Sequence, residues 1–403
     1  MSPRSLAKGI GSLDDDEIAA VNEVLRSRTL FRYDAPIEKS RVHGFEVALQ
    51  ERLGVARAVA VSSGTAALRV ALATLGVGCG DEVIVPAFTF IATVNAVVTT
   101  GAVPVFCEID DTLTMDPNDL ATKVTPRTAA IMPVHLENVA ADMDAVMDAA
   151  GDIPVIEDAA QAIGVTYAGR AVGTIGALGA FSLQVQKNIT SGEGGAVVTD
   201  DEVLALRAAR YQDQGGQFIT QHGSLRGGEL GDPFVGENLR MTEVAGAIAG
   251  VQLRKLDEVV DRLRANAFAI EQAVGDVTGL SPRRRPDPVG AVGSSLTWFA
   301  PTREAAKQIV GALRKERVAA AQMYEGLPVY CAPAILAKRT ASGKGGPWNC
   351  AEHPTEVTYA PGMCPQTEDL ASRSITVGVG PAFDAADCDD VAAAIVKVAR
   401  ELL

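Results

Sequence analysis

Two residues between Val155 and Asp201 have side chains that together could perform cofactor chemistry. Asp158 follows the apolar run that starts at Val155, and Lys187 precedes the glycine-rich stretch 191–195. A sheltered lysine can form a Schiff base, and a carboxylate beside a pyridine nitrogen keeps that nitrogen protonated. The pair therefore suits pyridoxal phosphate. Each residue also has a plain structural explanation, because acids after strands often cap helices and lone lysines are usually solvated.

A phosphate-binding turn is predicted at residues 62–65, with the sequence SSGT. The preceding run AVAVSS predicts a strand, and the following ALRVALATLGV predicts a helix. Backbone N–H groups at a helix N-terminus bind phosphate, and Gly64 allows the backbone to approach closely. Taken alone, the turn could equally be an ordinary helix cap.

Short apolar runs alternate with helical stretches through the first half of the chain. The strand candidates are VIVPAF, AVPVFCEI, TAAIMPVH and IPVIEDAA, and the helical stretches between them include ATVNAVVTT and MDAVMDAAG. This alternation is typical of parallel strands joined by helices that cover both faces of the sheet. We therefore predict an α/β fold with a mostly parallel central sheet. Ligands of such sheets bind at the carboxyl ends of the strands, where Asp158 is expected to lie.

The pattern changes after Asp200, where long helical stretches flank a glycine-rich loop at residues 223–236. The loop is predicted at the surface, and loops of this length can complete sites. We predict a large domain over residues 1–260, with an N-terminal helical segment, and a smaller C-terminal α+β domain over residues 261–403. The basic run 283–285 is predicted to be a solvated loop.

Composition excludes several classes of protein. The chain has 403 residues, 36 Lys+Arg against 50 Asp+Glu, and a net charge of −14, which disfavours a protein that binds nucleic-acid phosphates. The six cysteines form no Cys-x-x-Cys pair and no short Cys/His cluster, so neither a zinc module nor a disulfide framework is predicted, and reduced thiols are expected. No apolar run is long enough to span a membrane, and the sequence does not begin with a signal peptide. These features predict a cytoplasmic protein that binds neither nucleic acid nor membrane.

The chain resembles the sugar aminotransferases of the DegT/StrS type, which are fold-type-I pyridoxal-phosphate enzymes. The resemblance covers nearly the whole sequence and rests on many motifs in matching order. They include SLDDDEIAAVNEVL, SSGTAAL, GDEVIVPAFTFIATVNAV, GAVPVFCEID, VIEDAAQAIGVTYAGRAVGTIGALGAFSL, QKNITSGEGG, NLRMTEVAGAIAGVQLRKLD and CPQTEDLASRSITVGVG.

The resemblance implies roles for individual residues. Lys187 would hold the cofactor as a covalent aldimine, and Asp158 would contact the pyridine nitrogen, so these two residues are the catalytic candidates. The other implied cofactor ligands are Gln161 near the ring hydroxyl, Phe90 stacked on the ring, Gly64, Thr65 and Ser182 at the phosphate, and Asn238 reaching the neighbouring subunit's site. Asn238 thus implies a homodimer with shared active sites. Gln184 is a candidate for contact with substrate.

The implied reaction is a transamination with pyridoxamine phosphate as the intermediate form of the cofactor. Lys187 would move the Cα proton of the donor, which the resemblance implies is glutamate or glutamine. The implied acceptor is a keto sugar or a related cyclic ketone, in a secondary-metabolite pathway such as antibiotic biosynthesis or in a cell-surface sugar pathway. Glu137 and Asn138 replace an aromatic residue and a glycine found in many members, so the acceptor stays open.

Three alternatives are considered. A dehydratase of the same fold commonly has histidine in place of the lysine, and Lys187 counts against it, but an aromatising dehydratase that retains the lysine stays an open alternative. A non-catalytic pyridoxal-phosphate-binding regulator would carry a further DNA-binding or sensor segment with a basic face, and neither end of this chain shows one. A nicotinamide-binding domain would depend on GVGCGD at residues 76–81, which follows a helix and lacks the full glycine spacing.

Overall fold

Short apolar runs form the strands of a central sheet in the computed structural model, which describes residues 6–34, 36–216, 234–353 and 356–403. Most of their side chains are buried, as expected for strands that have helices on both faces. These strands are β1 (Arg57–Val61), β2 (Glu82–Pro86), β3 (Val103–Cys107), β4 (Thr128–Ile131), β5 (Ile156–Asp158), β8 (Leu178–Ser182) and β9 (Gly195–Thr199), while β6 (Thr166–Tyr167) and β7 (Arg170–Ala171) form a separate hairpin.

The order of the strands across the central sheet is β1-β9-β8-β5-β4-β2-β3. Parallel bridges from Ile131 to Val155 and from Val134 to Asp158 join its two parts. Among the described strands of this sheet, β9 alone runs in the opposite direction to the others, so it is antiparallel to both β1 and β8. The predicted α/β fold with a mostly parallel sheet is confirmed.

Several helices begin at a polar side chain that caps them. Asp14 forms a capping box with Glu17, Ser63 accepts a hydrogen bond from the Ala66 N–H, and Thr242 accepts one from the Ala245 N–H. The helices are α1 (Asp15–Ser27), α2 (Arg41–Leu53), α3 (Gly64–Thr74), α4 (Ile91–Thr100), α5 (Pro117–Lys123), α6 (Met143–Ala150), α7 (Glu202–Tyr211), α8 (Glu243–Val274), α9 (Arg303–Lys315), α10 (Pro333–Leu336), α11 (Pro365–Arg373) and α12 (Ala385–Leu402).

A second, antiparallel sheet lies in the C-terminal part of the chain. Its order is β10-β11-β13-β12, with β10 at Ser281–Pro282, β11 at Ser295–Phe299, β12 at Ala320–Ala321 and β13 at Ser374–Gly378. Helix α8 contacts α1, α2 and α12. The predicted boundary at residue 260 falls inside α8, and the division into two domains stays a prediction. Of the predicted glycine-rich loop, residues 223–233 lie outside the described residues.

The basic run 283–285 is not a solvated loop, so that prediction was wrong. Arg283 is 7% exposed, and its guanidinium donates to the carbonyl oxygens of Thr112 and Leu136. Arg284 and Arg285 form ion pairs with acidic side chains of other segments. A buried guanidinium needs acceptors for its N–H groups, and Arg283 finds one of them in the segment between β3 and α5. The run therefore links the chain after α8 to that segment.

The prediction that all cysteines are reduced thiols was also wrong. A disulfide joins Cys79, in the turn before β2, to Cys350, in the segment after α10. The free cysteines are Cys107, Cys331, Cys364 and Cys388. Sequence spacing could not reveal the pair, because its members lie 271 residues apart.

Within the described ranges, no helix combines the length and apolar character needed to cross a bilayer. The cytoplasmic location stays a prediction.

Candidate active site

The carboxyl ends of neighbouring strands bring Asp158 and Ser182 to the same edge of the central sheet. Asp158 is the last residue of β5, and Ser182 is the last residue of the adjacent parallel strand β8. Lys187 lies in the connection from β8 to β9, where its N–H donates to the Gln184 carbonyl oxygen over 2.9 Å. The topology therefore gathers residues that are distant in sequence around one point, as expected for an open α/β sheet.

Asp158 is a buried carboxylate held by neutral donors. It is 4% exposed, and it accepts hydrogen bonds from the Thr93 hydroxyl over 2.8 Å and from the Ala160 N–H over 3.1 Å. Burial raises the pKa of Asp158, while these hydrogen bonds and the charge of Lys187 oppose the rise. A cationic ligand beside Asp158 would favour its ionised form.

The residue before Asp158 fixes the position of this strand end. Glu157 is fully buried, and its carboxylate accepts hydrogen bonds from His135 Nε2 over 2.9 Å and from the backbone N–H groups of residues 173, 175 and 176. His135 Nδ1 accepts from the Ala141 N–H, so its Nε2 carries the proton that it donates to Glu157. Burial alone would raise the pKa of Glu157, but these donors hold it below its ordinary value. Glu157 thus acts as an anchor and Asp158 faces the cavity.

Lys187 is half-buried and faces the same cavity. Burial lowers its pKa, and the nearby charge of Lys8 lowers it further, while Asp158 and Glu137 act in the opposite direction. The lysine is held from the N-terminal side by the Gly9 N–H, which donates to its carbonyl oxygen over 3.2 Å. A lysine with a lowered pKa is an amine suited to attack a carbonyl.

The N-terminus of α3 and the end of β8 approach each other closely. An added Cβ at Gly64 would lie 2.6 Å from Ser182 Cβ and 2.9 Å from Ser182 Oγ, so only glycine fits there. Thr65 is exposed in the first turn of α3 and lines the cavity. The N–H groups that open an α-helix have no acceptor within it, so this turn, together with the hydroxyls of Thr65 and Ser182, forms a cradle suited to a phosphate.

These groups surround one cavity of about 420 Å³. Phe90 lies on its wall and is 54% exposed, although aromatic side chains of this size are usually buried. The described residues that line it and were predicted from the sequence are Gly64, Thr65, Phe90, Asp158, Gln161, Ser182, Gln184 and Lys187. An exposed ring beside a buried carboxylate leaves space for a flat aromatic ligand between them.

Asn238 does not line this cavity. It is exposed and pairs through its backbone with Asp213. Its predicted role at the partner subunit's site stays a prediction.

Tyr324 is a site residue that sequence reasoning missed. Gln161 Nε2 donates to the Tyr324 hydroxyl over 3.3 Å, and Gln161 Oε1 accepts from the Glu137 N–H over 3.2 Å. The Tyr324 ring makes an edge contact with Phe88, at a centroid distance of 5.3 Å. Tyr324 adopts a left-handed backbone with φ 48°, which no local sequence signal predicts for tyrosine.

The sequence matches a known family of proteins along most of its length. The profile of the DegT/DnrJ/EryC1/StrS aminotransferase family matches residues 12–396. The chain belongs to this family. Members of the DegT/DnrJ/EryC1/StrS family are pyridoxal-phosphate-dependent aminotransferases, and the resemblance read from the sequence is confirmed.

Two curated relatives and one solved structure illustrate the range of the family. The chain is 35% identical over 405 residues to an L-glutamine:2-deoxy-scyllo-inosose aminotransferase from Streptomyces fradiae, covering 95% of this chain and 92% of that one. It is 42% identical over 217 residues to a GDP-perosamine synthase from Caulobacter vibrioides, covering 53% of this chain and 56% of that one. An aminotransferase structure from Psychrobacter cryohalolentis superimposes with a TM-score of 0.82 at 29% identity, covering 97% and 98% of the two chains.

Proposed function

We propose that this protein transfers the amino group of L-glutamine or L-glutamate to a ketone on an uncharged, hydroxyl-rich ring, using pyridoxal phosphate held covalently by Lys187. The observation that carries the proposal is the placement of Lys187 and the buried carboxylate of Asp158 on one cavity, beside the N-terminus of α3. Lysine and carboxylate supply the two functional groups that the cofactor requires.

The described residues fit the cofactor. Gly64, Thr65 and Ser182 would hold its phosphate, because all three line the cavity at the N-terminus of α3, where the first backbone N–H groups of the helix have no acceptor within it. Phe90 would cover one ring face, and Gln161 would lie near the ring hydroxyl. Asp158 would accept the pyridine N–H, which would favour its ionised form despite burial.

When bound, pyridoxal phosphate supplies an electron sink for the bonds around the amino-bearing carbon. The Lys187 amine then removes the Cα proton of the donor and later returns a proton during amination of the acceptor. Its lowered pKa leaves a larger fraction of the amine unprotonated near neutral pH. Asp158 keeps the opposite end of the cofactor cationic, so the two residues act on the same ring from different sides.

The charge of the cavity favours an uncharged acceptor. The described residues that line it include three carboxylates, those of Glu137, Asp158 and Glu193, but a single ammonium group, that of Lys187. Phosphates of a nucleotide-linked sugar would be repelled by this excess of negative charge. Ring hydroxyls would instead donate hydrogen bonds to free carboxylate oxygens.

Glu137 is the acidic residue best placed to contact the acceptor. It has a left-handed backbone with φ 50°, and its Oε2 accepts from the Ser295 hydroxyl over 3.1 Å, while its Oε1 has no hydrogen-bond donor among the described residues. Strained backbone of this kind is often found at functional sites. Glu137 stands where many relatives have an aromatic residue, so it would contribute to a difference in acceptor.

The protein is further proposed to act as a homodimer with shared sites. Asn238 is exposed and lies apart from its own chain's cavity, and several apolar side chains near α1 and Asn238 are exposed, such as Leu30, Phe31 and Val235. Mixing Lys187→Ala with Asn238→Ala protein tests this arrangement. Hybrid dimers with shared sites would contain one intact site and regain activity, whereas independent sites would give no gain.

The function is tested by separating the two half-reactions. Protein loaded with pyridoxal phosphate should lose its visible absorption band on addition of L-glutamine or L-glutamate, and should regain it on addition of 2-deoxy-scyllo-inosose, with one new amine found by mass spectrometry. Lys187→Ala protein is the control and should show neither change. Failure of both donors to change the band would refute the proposal.

A nucleotide-linked keto sugar is a second candidate acceptor, because one relative is a GDP-perosamine synthase. A GDP-linked 4-keto sugar in the same assay decides between the two, since recovery of the band with this substrate alone would contradict the argument from cavity charge. A product that has lost one molecule of water and has gained no amine would instead indicate a dehydratase.

A further inference from the structure

The amino donor brings a negative charge to a site with few cations. This inference rests on the proposed function, in which the donor is glutamine or glutamate. Both amino acids carry an α-carboxylate at neutral pH. The described residues that line the 420 Å³ cavity offer it a single ammonium group, that of Lys187, which is committed to the cofactor. A second cation beside the cofactor would stabilise the α-carboxylate.

Lys8 supplies such a cation next to Lys187. A smaller cavity of about 80 Å³ adjoins the first and is lined by Lys8 together with Glu137, Gln161 and Lys187, which also line the larger one. Lys8 and Lys187 are the cations among the described residues of the two cavities. The ammonium group of Lys8 forms no ion pair or hydrogen bond within the described part of the chain.

The N-terminal segment is held firmly against the lysine loop. The Gly9 N–H donates to the Lys187 carbonyl oxygen over 3.2 Å, and an added Cβ at Gly9 would lie 2.6 Å from the backbone of Ile189. This contact fixes the backbone of Lys8 beside the loop that carries the Lys187 amine. A long flexible side chain on a fixed backbone can reach a ligand in either cavity.

The pKa shifts of Lys8 and Lys187 agree with a position of Lys8 close to Lys187. Burial lowers the pKa of Lys8 and the carboxylate of Glu137 opposes the shift, while Lys8 in turn lowers the pKa of Lys187. A bound carboxylate would offset the cost of keeping a partly buried ammonium group charged.

We propose that Lys8 binds the α-carboxylate of the amino donor. The site would thus use different charged residues for its two substrates, with Lys8 for the α-carboxylate of the amino acid and Glu137 for the hydroxyls of the acceptor. Lys8 would act in donor binding and leave acceptor recognition unaffected.

Separate half-reactions of the holoenzyme test the proposal. Lys8→Met should raise the half-saturating concentration of L-glutamine on the order of 10- to 100-fold, as expected for loss of a hydrogen bond to a charged group, while the acceptor half-reaction changes less than about twofold. Lys8→Arg keeps the charge and should restore donor binding to within about tenfold of wild type. Lys397→Met is the matched control, because Lys397 is an exposed lysine paired with Glu316.

Two further measurements do not depend on turnover. Glutarate, a carboxylate ligand without an amino group, should bind the wild-type holoenzyme in calorimetry and bind Lys8→Met at least about tenfold more weakly. The pH at which the absorption band of the cofactor–lysine linkage changes should rise in Lys8→Met, because a nearby positive charge is removed.

The outcomes separate the two proposals. If wild-type protein reacts with neither donor, the proposed function fails. If it reacts but Lys8→Met shows unchanged donor saturation, or slows both half-reactions equally, the assignment of Lys8 is overturned while the function stands. If Lys8→Met does not fold, Lys8→Gln and Lys8→Arg provide the comparison, and equal donor saturation in these two variants also overturns the assignment.

Discussion

Gly64→Ala tests whether the close approach of α3 to β8 is what forms the cofactor's phosphate site. The added methyl group would lie 2.6 Å from Ser182 Cβ and 2.9 Å from Ser182 Oγ. Carbon atoms in contact are normally about 3.5–4.0 Å apart, so the start of α3 must move by roughly 1 Å. Overpacking of this kind costs about 1–3 kcal/mol.

The same shift should weaken cofactor binding. If α3 moves away from Ser182, its N–H groups and the Ser182 hydroxyl can no longer contact one phosphate together. A loss of about 1–3 kcal/mol in binding corresponds to roughly 5- to 150-fold weaker affinity. Denaturant unfolding of the cofactor-free protein measures the packing cost, and absorbance titration with pyridoxal phosphate measures the binding loss.

Two variants control the experiment. Gly44→Ala adds a methyl group within α2, where no atom lies within 4 Å, so it should leave cofactor affinity unchanged and stabilise the protein by up to about 1 kcal/mol. Gly64→Ala combined with Ser182→Gly removes the two closest contacts of the new methyl group and leaves Ser182 Cα 3.4 Å from it, so the double variant should recover most of the lost stability. Cofactor affinity should stay low in the double variant, because the Ser182 hydroxyl is missing. Unchanged stability and affinity in Gly64→Ala would refute the reasoning.

Three further variants follow from the site and its supports. Lys187→Ala should fold with a wild-type melting temperature but lose its visible band with bound cofactor, with turnover reduced at least about 10³-fold; substantial retained turnover would reassign the lysine. Glu157→Gln should lower the free energy of unfolding at pH 7 by about 2–4 kcal/mol, because it removes a buried charged acceptor. Since the pKa of Glu157 is held below 4.5, the stabilisation by its carboxylate is present above that pH and is lost as the pH falls further. The difference in unfolding free energy between the variant and the wild type, measured in urea, should therefore become smaller towards pH 3. Cys79→Ser should remove the effect of a reducing agent on the melting temperature, because the disulfide to Cys350 can no longer form. Its free energy of unfolding should be about 2–4 kcal/mol lower than that of the oxidised wild type. An equal response of both proteins to the reductant would contradict the link to Cys350.

The sequence predicts the elements that depend on local periodicity. Apolar runs such as that ending at Asp158 form strands as expected, and the long helical stretch after residue 241 forms α8, Glu243–Val274. The pairing of Lys187 with Asp158 follows from two local facts, a strand end and a glycine-rich connection. Nothing in the sequence indicates that β9 runs antiparallel to β8, other than the short connection between these strands that contains Lys187.

Residues whose role depends on distant partners escaped prediction. Arg283 looks like part of a solvated basic run until its acceptors on the segments near Thr112 and Leu136 are known. Tyr324 reaches the site from a segment far along the chain, and its contact with Gln161 has no counterpart in local pattern. Lys8 likewise gains significance only when Gly9 is seen against Lys187.

The length of α8 determines how this molecule should melt. With 32 residues it is about 48 Å long, and one continuous rod contacts α1 and α2 at the central sheet as well as α12 of the C-terminal part. Unfolding either part alone would expose an apolar stripe of α8 that includes Leu256, Leu263 and Ile270. Calorimetry should therefore record a single cooperative transition, and the amides of α8 should exchange with solvent at one common rate along the middle of the helix.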